Sequence, residues 1–390
     1  MDYGQKALLL HEKLKGKIEI SSKVSINNKE DLSIAYTPGV AEPCRKIHDN
    51  PDDVYKYTSK GNMVAVVSDG TAVLGLGDIG PLAAMPVMEG KAILFKQFAN
   101  VDAFPICLNT KNVDEIVKTI EFMSPSFGGI NLEDIAAPRC YEIENRLKAS
   151  LDIPVFHDDQ HGTAIVVTAA LINSLKIINR KFENIKVVIN GIGSAGSAIA
   201  RLLLQMGVTS MTLCDKYGIL YPGDINNDFM KEKLAQITNP KGIKGDLSFA
   251  MKNADVFIGV SAPNIVTTEM ISSMNTDAIV FAMANPVPEI DPDLAKKAGA
   301  RIVGTGRSDY TNQVNNVLVF PGIFRGALDV RASDINEEMK IAAAKAIASI
   351  IPDNELSEDY VIPLAFDERV TKLVAAVVAE AARQSGVARI

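Results

Sequence analysis

Short apolar runs alternate with amphipathic segments along most of the chain. Continuous apolar runs at residues 63–69, 103–108, 128–134 and 153–159 are typical of strands that are buried on both faces of a sheet. Between two of them, residues 113–123 place apolar side chains at helical spacing. Repeated strand–helix units of this kind predict a parallel sheet with right-handed crossovers. We therefore expect the first half of the chain to fold as an α/β domain.

The same alternation continues in the second half of the chain. Apolar runs at 185–190 and 210–215 predict strands of a second sheet, and an apolar helix at 164–175 is expected to connect the two halves. The predicted fold class is α/β with two domains. Residues 1–160 form an N-terminal α/β domain with a parallel sheet, and residues 161–390 form a Rossmann-type domain with C-terminal helices.

Prolines and acids mark several expected helix boundaries. The segment Pro-Val-Met-Glu-Gly-Lys at 86–91 is expected to lead into an apolar helix that begins at about Ala92. Two helices are predicted to end the chain. Asp334 and Glu337 are expected to cap the first in the D-x-x-E manner, and the second spans about 367–384.

Glycines follow the strand at 185–190 in the spacing that admits a dinucleotide. Gly191, Gly193 and Gly196 precede an amphipathic helix, and the next strand ends in Asp215. Backbone N–H groups and the helix N-terminus would bind the pyrophosphate, and Asp215 would accept from a ribose hydroxyl. An acid there disfavours a 2′-phosphate, although the following Lys216 could compensate, so NAD is favoured and NADP stays possible. The residues expected to contact the cofactor are Thr163, Gly191, Gly193, Ser194, Ala195, Gly196, Asp215 and Asn285.

Paired acids follow two of the predicted strands. Glu133 and Asp134 end one strand, and Asp158 and Asp159 end the next. Strand ends of one parallel sheet lie on one rim, where a divalent cation would relieve the repulsion between the acids. A single acid pair is more often a solvated loop or a helix cap, and that explanation stays open. With only 4 histidines in the chain, oxygen ligands are the available kind, which favours Mg²⁺ or Mn²⁺.

Three further features have both a functional and an ordinary structural explanation. Lys91 adjoins an apolar segment and could be enclosed, although most lysines are surface charges. Tyr36 precedes a Thr-Pro-Gly turn, and it is either a functional group or a tyrosine beside a turn. Alternating glycines at 73–80 would let the backbone approach another group closely, or they form a tight packing turn.

Composition and charge exclude several classes of protein. The chain has 390 residues, 47% hydrophobic content and a net charge of −7, which gives no general attraction to nucleic acid or to an anionic membrane. It contains no run of about 18 apolar residues, and its first residues lack the pattern of a signal peptide. Its 4 cysteines form no CxxC pair. We expect a cytoplasmic protein with reduced thiols, without a nucleic-acid or membrane partner.

Several motifs of the chain together carry a likeness to one known family. They are Tyr-Thr-Pro-Gly-Val-Ala at 36–41, Val-Ser-Asp-Gly at 67–70, Leu-Gly-Leu-Gly-Asp at 74–78, Pro-Val-Met-Glu-Gly-Lys at 86–91, Asn-Leu-Glu-Asp at 131–134, Phe-His-Asp-Asp-Gln-His-Gly-Thr at 156–163 and the glycine loop at 191–196. In this combination the chain resembles the small-subunit malic enzymes of bacteria, from about residue 16 to the C-terminal helix. Members of this family oxidise (S)-malate with NAD(P)⁺ and release CO₂ and pyruvate.

The resemblance implies a role for individual residues. It implies a metal and substrate site in the N-terminal domain, a neutral Lys91 as general base and Tyr36 as general acid. It also implies a homodimer in which the tyrosine segment completes the neighbour's active site. Larger malic enzymes carry an arginine where this chain has Thr71-Ala-Val, so the partner of the substrate carboxylate is unassigned. The other implied residues are the metal ligands Glu133, Asp134 and Asp159, the carboxylate of Asp158 beside them, and the substrate-binding amides of Asn285 and Asn316.

Three other functions are compatible with the same motifs. The chain could be an oxaloacetate decarboxylase, or a 2-hydroxy-acid dehydrogenase that stops at the keto acid. It could also be a nucleotide-sensing protein with a vestigial active site. Candidates for the acid, the base and all the metal ligands are present, which argues against the last alternative.

Overall fold

The computed structural model describes residues 3–390, so the first two residues of the predicted N-terminal domain lie outside the described part. Within it, strands form two sheets. The first sheet is parallel, with the order β2-β1-β3-β4, and the second has the order β10-β9-β8-β5-β6-β7, with only its edge strand β7 antiparallel. The strands are β1 (Met63–Ser68), β2 (Asp102–Cys107), β3 (Gly129–Leu132), β4 (Val155–His157), β5 (Lys186–Asn190), β6 (Ser210–Asp215), β7 (Gly218–Ile219), β8 (Val256–Gly259), β9 (Ile279–Ala282) and β10 (Ile302–Thr305).

Helices cover both sheets and extend beyond them at each end of the chain. Their order confirms the predicted strand–helix alternation and the α/β fold class. The helices are α1 (Tyr3–Leu14), α2 (Lys29–Ala35), α3 (Ala41–Asp49), α4 (Val54–Tyr57), α5 (Pro81–Ala99), α6 (Val113–Met123), α7 (Arg139–Ser150), α8 (Asp158–Ile177), α9 (Ser194–Gln205), α10 (Phe229–Thr238), α11 (Leu247–Met251), α12 (Thr268–Ser272), α13 (Pro292–Lys297), α14 (Phe320–Asp329), α15 (Glu337–Ser349) and α16 (Glu368–Gln384).

Two helices begin earlier than their sequence patterns predicted. α5 begins at Pro81, not near Ala92, so Pro86 lies inside it and Lys91 lies in its second half. Pro81 is a common first helical residue because its missing N–H would have no partner there. α8 begins at Asp158, so Asp158 and Asp159 lie in its first turn and not at the end of the strand. Acids are favoured in a first helical turn by the helix dipole.

The C-terminal region differs from the prediction in two ways. A helix that the apolar pattern did not predict, α14, precedes the two expected ones. The predicted cap of Asp334 and Glu337 is wrong, because the side chain of Asn336 caps α15 and accepts the N–H of Met339. Asp334 instead pairs with Lys148 at 2.8 Å.

The C-terminal helices also pack against the first domain. The ring of Phe95 in α5 lies 4.8 Å from that of Phe320 and 5.3 Å from that of Phe324, both in α14. α8 packs along α9 and α15 and connects the two sheets. The predicted division at 160/161, which falls inside α8, stays a prediction.

The N-terminal segment contrasts with this core. Helices α1, α2 and α3 contain no buried residue. The N-terminal segment therefore leaves a large apolar surface exposed on the single chain, with Leu8, Leu9, Ile20 and Ile34 among its members.

Among residues 3–390, no helix combines the length and the apolar character needed to cross a bilayer.

Candidate active site

Three carboxylates meet where two neighbouring strands of the first sheet end. Glu133 and Asp134 follow β3, and Asp159 lies in the first turn of α8, after β4. Because β3 and β4 pair in parallel, their ends lie side by side. One oxygen of each carboxylate lies within 4.8 Å of the others. The backbone N–H of Asp134 donates to Oδ2 of Asp159 at 2.8 Å. This all-oxygen set suits Mg²⁺ or Mn²⁺.

α5 places Lys91 against this cluster. Its Nζ lies 2.6 Å from Oδ2 of Asp158, 2.9 Å from Oε1 of Glu133 and 4.1 Å from the ring centre of Phe320. The Lys91 side chain is 8% exposed and that of Asp158 is 0% exposed. Asn316 donates from Nδ2 to the same Oδ2 of Asp158. Lys91 is thus an enclosed ammonium group, and the alternative of a surface lysine is wrong.

Burial and charge act in opposite directions on these groups. Burial lowers the pKa of Lys91, but the carboxylates of Asp158 and Glu133 outweigh it and raise that pKa above its ordinary value. Burial raises the pKa of Asp158 to about 6 against the attraction of the ammonium, and it raises the pKa of Glu133 as well. The buried carboxylates therefore favour a charged Lys91 as long as no other cation shares them.

A cavity of about 690 Å³ opens over the cluster. It brings together residues from both sheets, including the first residues of α9, which belong to the glycine loop. Most of its charged lining residues come from one region: Lys91 from α5, Glu133 and Asp134 from the residues after β3, and Asp159 from α8. The predicted site residues that line it are Lys91, Glu133, Asp134, Asp159, Thr163, Ser194, Ala195, Asn285 and Asn316.

The alternating glycines at 73–80 permit a close contact beside this cavity. A Cβ on Gly75 would lie 2.2 Å from the carbonyl oxygen of Asn285, so only glycine fits there without displacing that loop. Gly77 adopts a φ of +75°, which disfavours other residues. Gly75 therefore serves a close approach to the loop that carries Asn285, a candidate substrate ligand, and this approach is itself a tight packing contact, so the two explanations hold together.

A second groove of about 940 Å³ adjoins the cavity, and Ser261 lines both. The glycine loop forms one side of this groove. Gly191 has a φ of +102°, and a Cβ on Gly196 would lie 1.9 Å from the carbonyl oxygen of Gly191. Gly193 lines the groove and caps α9. This arrangement leaves the start of α9 open to a phosphate group.

Asp215 lies at the end of β6, also at this groove. Its Oδ1 accepts the backbone N–H of Tyr217 at 2.9 Å, and its Oδ2 lies 2.6 Å from Nζ of Lys231. Lys216 lines the same groove. Two lysines therefore lie near the acid, and the sequence predicted only one of them.

Tyr36 lies apart from the other predicted groups in the single chain. It follows α2 and is 66% exposed. Within residues 3–390 of one chain, it does not line the cavity around Lys91. Its segment belongs to the exposed N-terminal surface described above.

Sequence analysis missed two residues that support the carboxylate cluster. Asn131 donates from Nδ2 to Oε2 of Glu133 at 2.9 Å. The spacing of two residues places both on one side of an extended chain, so a signal existed. Buried Glu144, in α7, accepts the backbone N–H of His157 at 3.3 Å and lies 2.8 Å from Nε2 of His161. It anchors the start of α8, and no local pattern links it to that helix.

Two further residues at the cavity were also missed. Glu289 is fully buried and accepts the backbone N–H groups of Ser261 and Ala284 at 2.9 and 3.0 Å. It joins two loops that line the cavity. Lys17, in the connection after α1, is the second cation among the described lining residues. Neither contact could be inferred from spacing, because each depends on the tertiary fold.

Comparisons with known proteins agree with this geometry. The sequence profile described as the malic enzyme N-terminal domain matches residues 15–113 and 110–148, and that of the malic enzyme NAD-binding domain matches residues 160–383. The bifunctional malic/malolactic enzyme of Bacillus subtilis is 60% identical over 100% of this chain and 95% of its own length. The NAD-dependent malic enzyme of Geobacillus stearothermophilus is 57% identical over 100% of this chain and 81% of its own.

Solved structures show the same relationship in three dimensions. The malic enzyme of Pyrococcus horikoshii superposes with a TM-score of 0.92 at 50% identity, over 98% of this chain and 92% of its own. The NAD-dependent malic enzyme of Thermotoga maritima also gives 0.92 at 50% identity, over 97% and 99%. The predicted family and its two-domain architecture are confirmed. This chain belongs to the malic enzyme family.

Proposed function

We propose that the chain catalyses the oxidative decarboxylation of (S)-malate to pyruvate and CO₂, coupled to the reduction of NAD⁺, with a divalent metal ion. The observation that carries this proposal is the shared cavity. There, Lys91 and the carboxylate cluster of one sheet face Ser194 and Ala195 of the dinucleotide loop. A substrate bound by the cluster would therefore lie next to a cofactor bound along the adjoining groove.

Glu133, Asp134 and Asp159 would hold Mg²⁺ or Mn²⁺. Their fit is supported by oxygen atoms within 4.8 Å of one another and by the burial of two of the three residues. When bound, the cation supplies Lewis-acid stabilisation of the negative charge that develops on the substrate C2 oxygen. In a Mn²⁺ titration calorimetry experiment, Asp134→Asn should bind Mn²⁺ at least about tenfold more weakly, whereas a variant of the exposed Asp353 should bind normally. Unchanged affinity in Asp134→Asn would contradict this assignment.

Lys91 would act as the general base, and Tyr36 as the general acid. A neutral Lys91 amine would take the proton of the malate hydroxyl while hydride moves from C2 to the nicotinamide. A cation bound by Glu133 would weaken the attraction between this carboxylate and the Lys91 ammonium group. The pKa of Lys91 would then fall, which favours the neutral amine when the metal is bound. After CO₂ has left, the Tyr36 hydroxyl would protonate C3 of enolpyruvate. Asp158 and Asn316 would orient Lys91 and the substrate.

The cofactor would be NAD, with Asp215 as the acceptor for a ribose hydroxyl. A relative at 57% identity is described as NAD-dependent. Lys216 and Lys231 lie at the same groove and leave weak use of NADP possible. Initial rates with NAD⁺ and NADP⁺, each with Mn²⁺ and with EDTA, test these proposals. We expect metal-dependent NADH formation that exceeds NADPH formation, and the reverse preference would refute the assignment of Asp215.

We further propose a homodimer in which Tyr36 completes the partner's active site. The support is the exposed apolar surface of the N-terminal segment together with the exposure of Tyr36 itself. The test uses two inactive variants, Tyr36→Phe and Lys91→Met. If the sites are shared, each hybrid dimer contains one intact site of two. About half of the dimers formed from equal amounts of the two variants are hybrids, so co-refolding should restore up to about a quarter of wild-type activity. No recovery in a mixture shown to contain hybrid dimers would refute shared sites.

The proposed location is the cytoplasm. All four cysteines of the chain are free thiols, and Cys44 is exposed. An exposed thiol without a partner is typical of proteins from a reducing compartment.

A second candidate activity is malolactic conversion, in which malate yields lactate and CO₂ with no net change in NAD. The observation that favours it is the 60% identical relative described as a bifunctional malic/malolactic enzyme. In this reaction the groove formed by the glycine loop would have to retain the cofactor through both half-reactions, so that pyruvate is reduced to lactate and no NADH accumulates. Lactate formed from malate with NAD⁺ present in catalytic amounts would support it, and pyruvate without lactate would exclude it.

A further inference from the structure

The cavity has an unbalanced charge that the proposed groups do not relieve. Its floor carries Glu133, Asp134 and Asp159, with Asp158 directly behind Lys91. A bound divalent cation offsets part of this charge, but Lys91 would be neutral in the loaded site and malate adds two more carboxylates. Ala72 lines the cavity and belongs to the segment Thr71-Ala-Val, where larger malic enzymes carry an arginine. This segment therefore offers no cation to the substrate carboxylate. Another cation is therefore needed near the substrate.

Lys17 is in position to supply that charge. Besides Lys91, it is the only lysine or arginine among the described residues that line the cavity. Its Nζ donates to the carbonyl oxygen of Pro86 at 2.7 Å, and its backbone N–H donates to Oε2 of Glu89 at 2.9 Å. These two contacts hold the connection after α1 against α5. A Cβ on Gly90 would lie 3.4 Å from the Lys17 Nζ, an ordinary contact distance, so the ammonium group lies beside the residue that precedes Lys91 in α5.

The Lys17 ammonium group also has capacity for a ligand. An ammonium group carries three donors, and within residues 3–390 its only hydrogen-bond acceptor is the Pro86 carbonyl. Lys17 is half-buried at the cavity, where its interaction with an anion is stronger than on an open surface. Lys91, by contrast, is fully engaged with Asp158 and Glu133.

We propose that Lys17 binds the C1 carboxylate of malate at this site. The proposal rests on the function proposed above. The C1 carboxylate keeps its charge from malate to pyruvate, whereas the C4 carboxylate must leave as neutral CO₂. A cation on C4 would oppose that departure, but a cation on C1 stabilises substrate and product alike. Lys17 is thus a substrate-binding residue and takes no part in proton transfer.

Two substitutions separate its charge from its packing. Lys17→Met keeps the aliphatic stem and removes the charge, and Lys17→Arg keeps the charge. Loss of a charged hydrogen bond should raise the KM for malate at least about tenfold in Lys17→Met, with recovery in Lys17→Arg. The KM for NAD⁺ and the affinity for Mn²⁺ should stay within about twofold of wild type. Lys13→Met, which removes an exposed charge of α1, is the matched control.

A binding measurement without turnover completes the test. Oxalate retains a carboxylate and a neighbouring oxygen in the arrangement of C1 and C2, and it should raise the Tm of the Mn²⁺-loaded wild-type chain. Lys17→Met should lose most of this shift, and Lys13→Met should keep it. A normal oxalate shift or a normal malate KM in Lys17→Met would overturn the proposal. A wild-type chain that forms no NADH from malate would instead refute the proposed function, and the oxalate comparison would still decide the role of Lys17.

Discussion

Replacing Lys91 separates two effects that the structure attributes to this one side chain. In the apo protein, its ammonium group neutralises Asp158 and Glu133 at 2.6 and 2.9 Å, with all three groups less than a tenth exposed. Lys91→Met leaves these buried carboxylates without their cation, which should cost about 3–5 kcal/mol of unfolding free energy. Lys96→Met is the matched control on the same helix. Its own side chain is 58% exposed and its partner Asp102 is 27% exposed, so the expected cost there is at most about 1 kcal/mol.

The same substitution should also remove the proposed general base. Turnover of malate should fall at least about 100-fold in Lys91→Met, which corresponds to about 3 kcal/mol of activation free energy. Lys91→Arg keeps the charge but cannot give up its proton, so it should be nearly as inactive while it loses less stability. Added Mn²⁺ should stabilise Lys91→Met more than it stabilises the wild type, because the cation replaces the missing charge.

Urea unfolding with and without Mn²⁺, and steady-state rates of NADH formation, measure both effects. The control variant Lys96→Met should match the wild type in rate. The argument would be refuted if Lys91→Arg turned over malate at near-normal rates, since its guanidinium group cannot act as a base. It would also be refuted if Lys91→Met unfolded with the wild-type free energy in the absence of metal.

Three further predictions concern other parts of the molecule. Gly196→Ala places a Cβ 1.9 Å from the Gly191 carbonyl oxygen, so NADH fluorescence should report affinity weakened at least about tenfold, with normal Mn²⁺ binding. Gly75→Ala places a Cβ 2.2 Å from the Asn285 carbonyl oxygen, so malate turnover should fall while NADH affinity is retained; an equal loss of both would contradict this. Burial raises the pKa of the Cys214 thiol from 9.0 to about 12, so above pH 9 the unfolded chain loses a proton that the folded chain keeps, and stability should fall. Cys214→Ala should show a shallower fall between pH 9 and 12 in urea titrations, and an unchanged slope would contradict the shift.

Features that depend on local periodicity were predictable from the sequence. The strand β6 and the helix α6 begin and end at the predicted residues, because apolar spacing and capping residues mark their ends. The glycine loop was predictable for a similar reason, since Gly196 is required by its contact with the Gly191 carbonyl within one strand–turn–helix unit and Gly191 has a positive φ. The proximity of Glu133 and Asp159 followed from the rule that parallel strands share one rim.

Features that depend on tertiary contacts were not predictable in this way. The start of α5 was missed because Pro86 suggested a break, but the helix continues through this proline and gives up one hydrogen bond within the helix. α14 was missed because its apolar residues pack on Phe95, which lies more than two hundred residues earlier. Glu144 and Lys17 reach the site from elements with no motif of their own. The proposed role of Tyr36 would depend on a second chain, which no pattern of periodicity within one chain reveals.

The most direct test of the central claim is the ratio of products from (S)-malate. CO₂, pyruvate and NADH should be measured in one reaction with Mn²⁺, and again after EDTA and after Mn²⁺ is restored. An oxidative decarboxylation at the Glu133–Asp134–Asp159 cluster predicts equal amounts of all three products, none with EDTA, and recovery with Mn²⁺. NADH without CO₂ would indicate a dehydrogenase that stops at the keto acid, and CO₂ released only from added oxaloacetate would indicate a decarboxylase; either result would contradict the account.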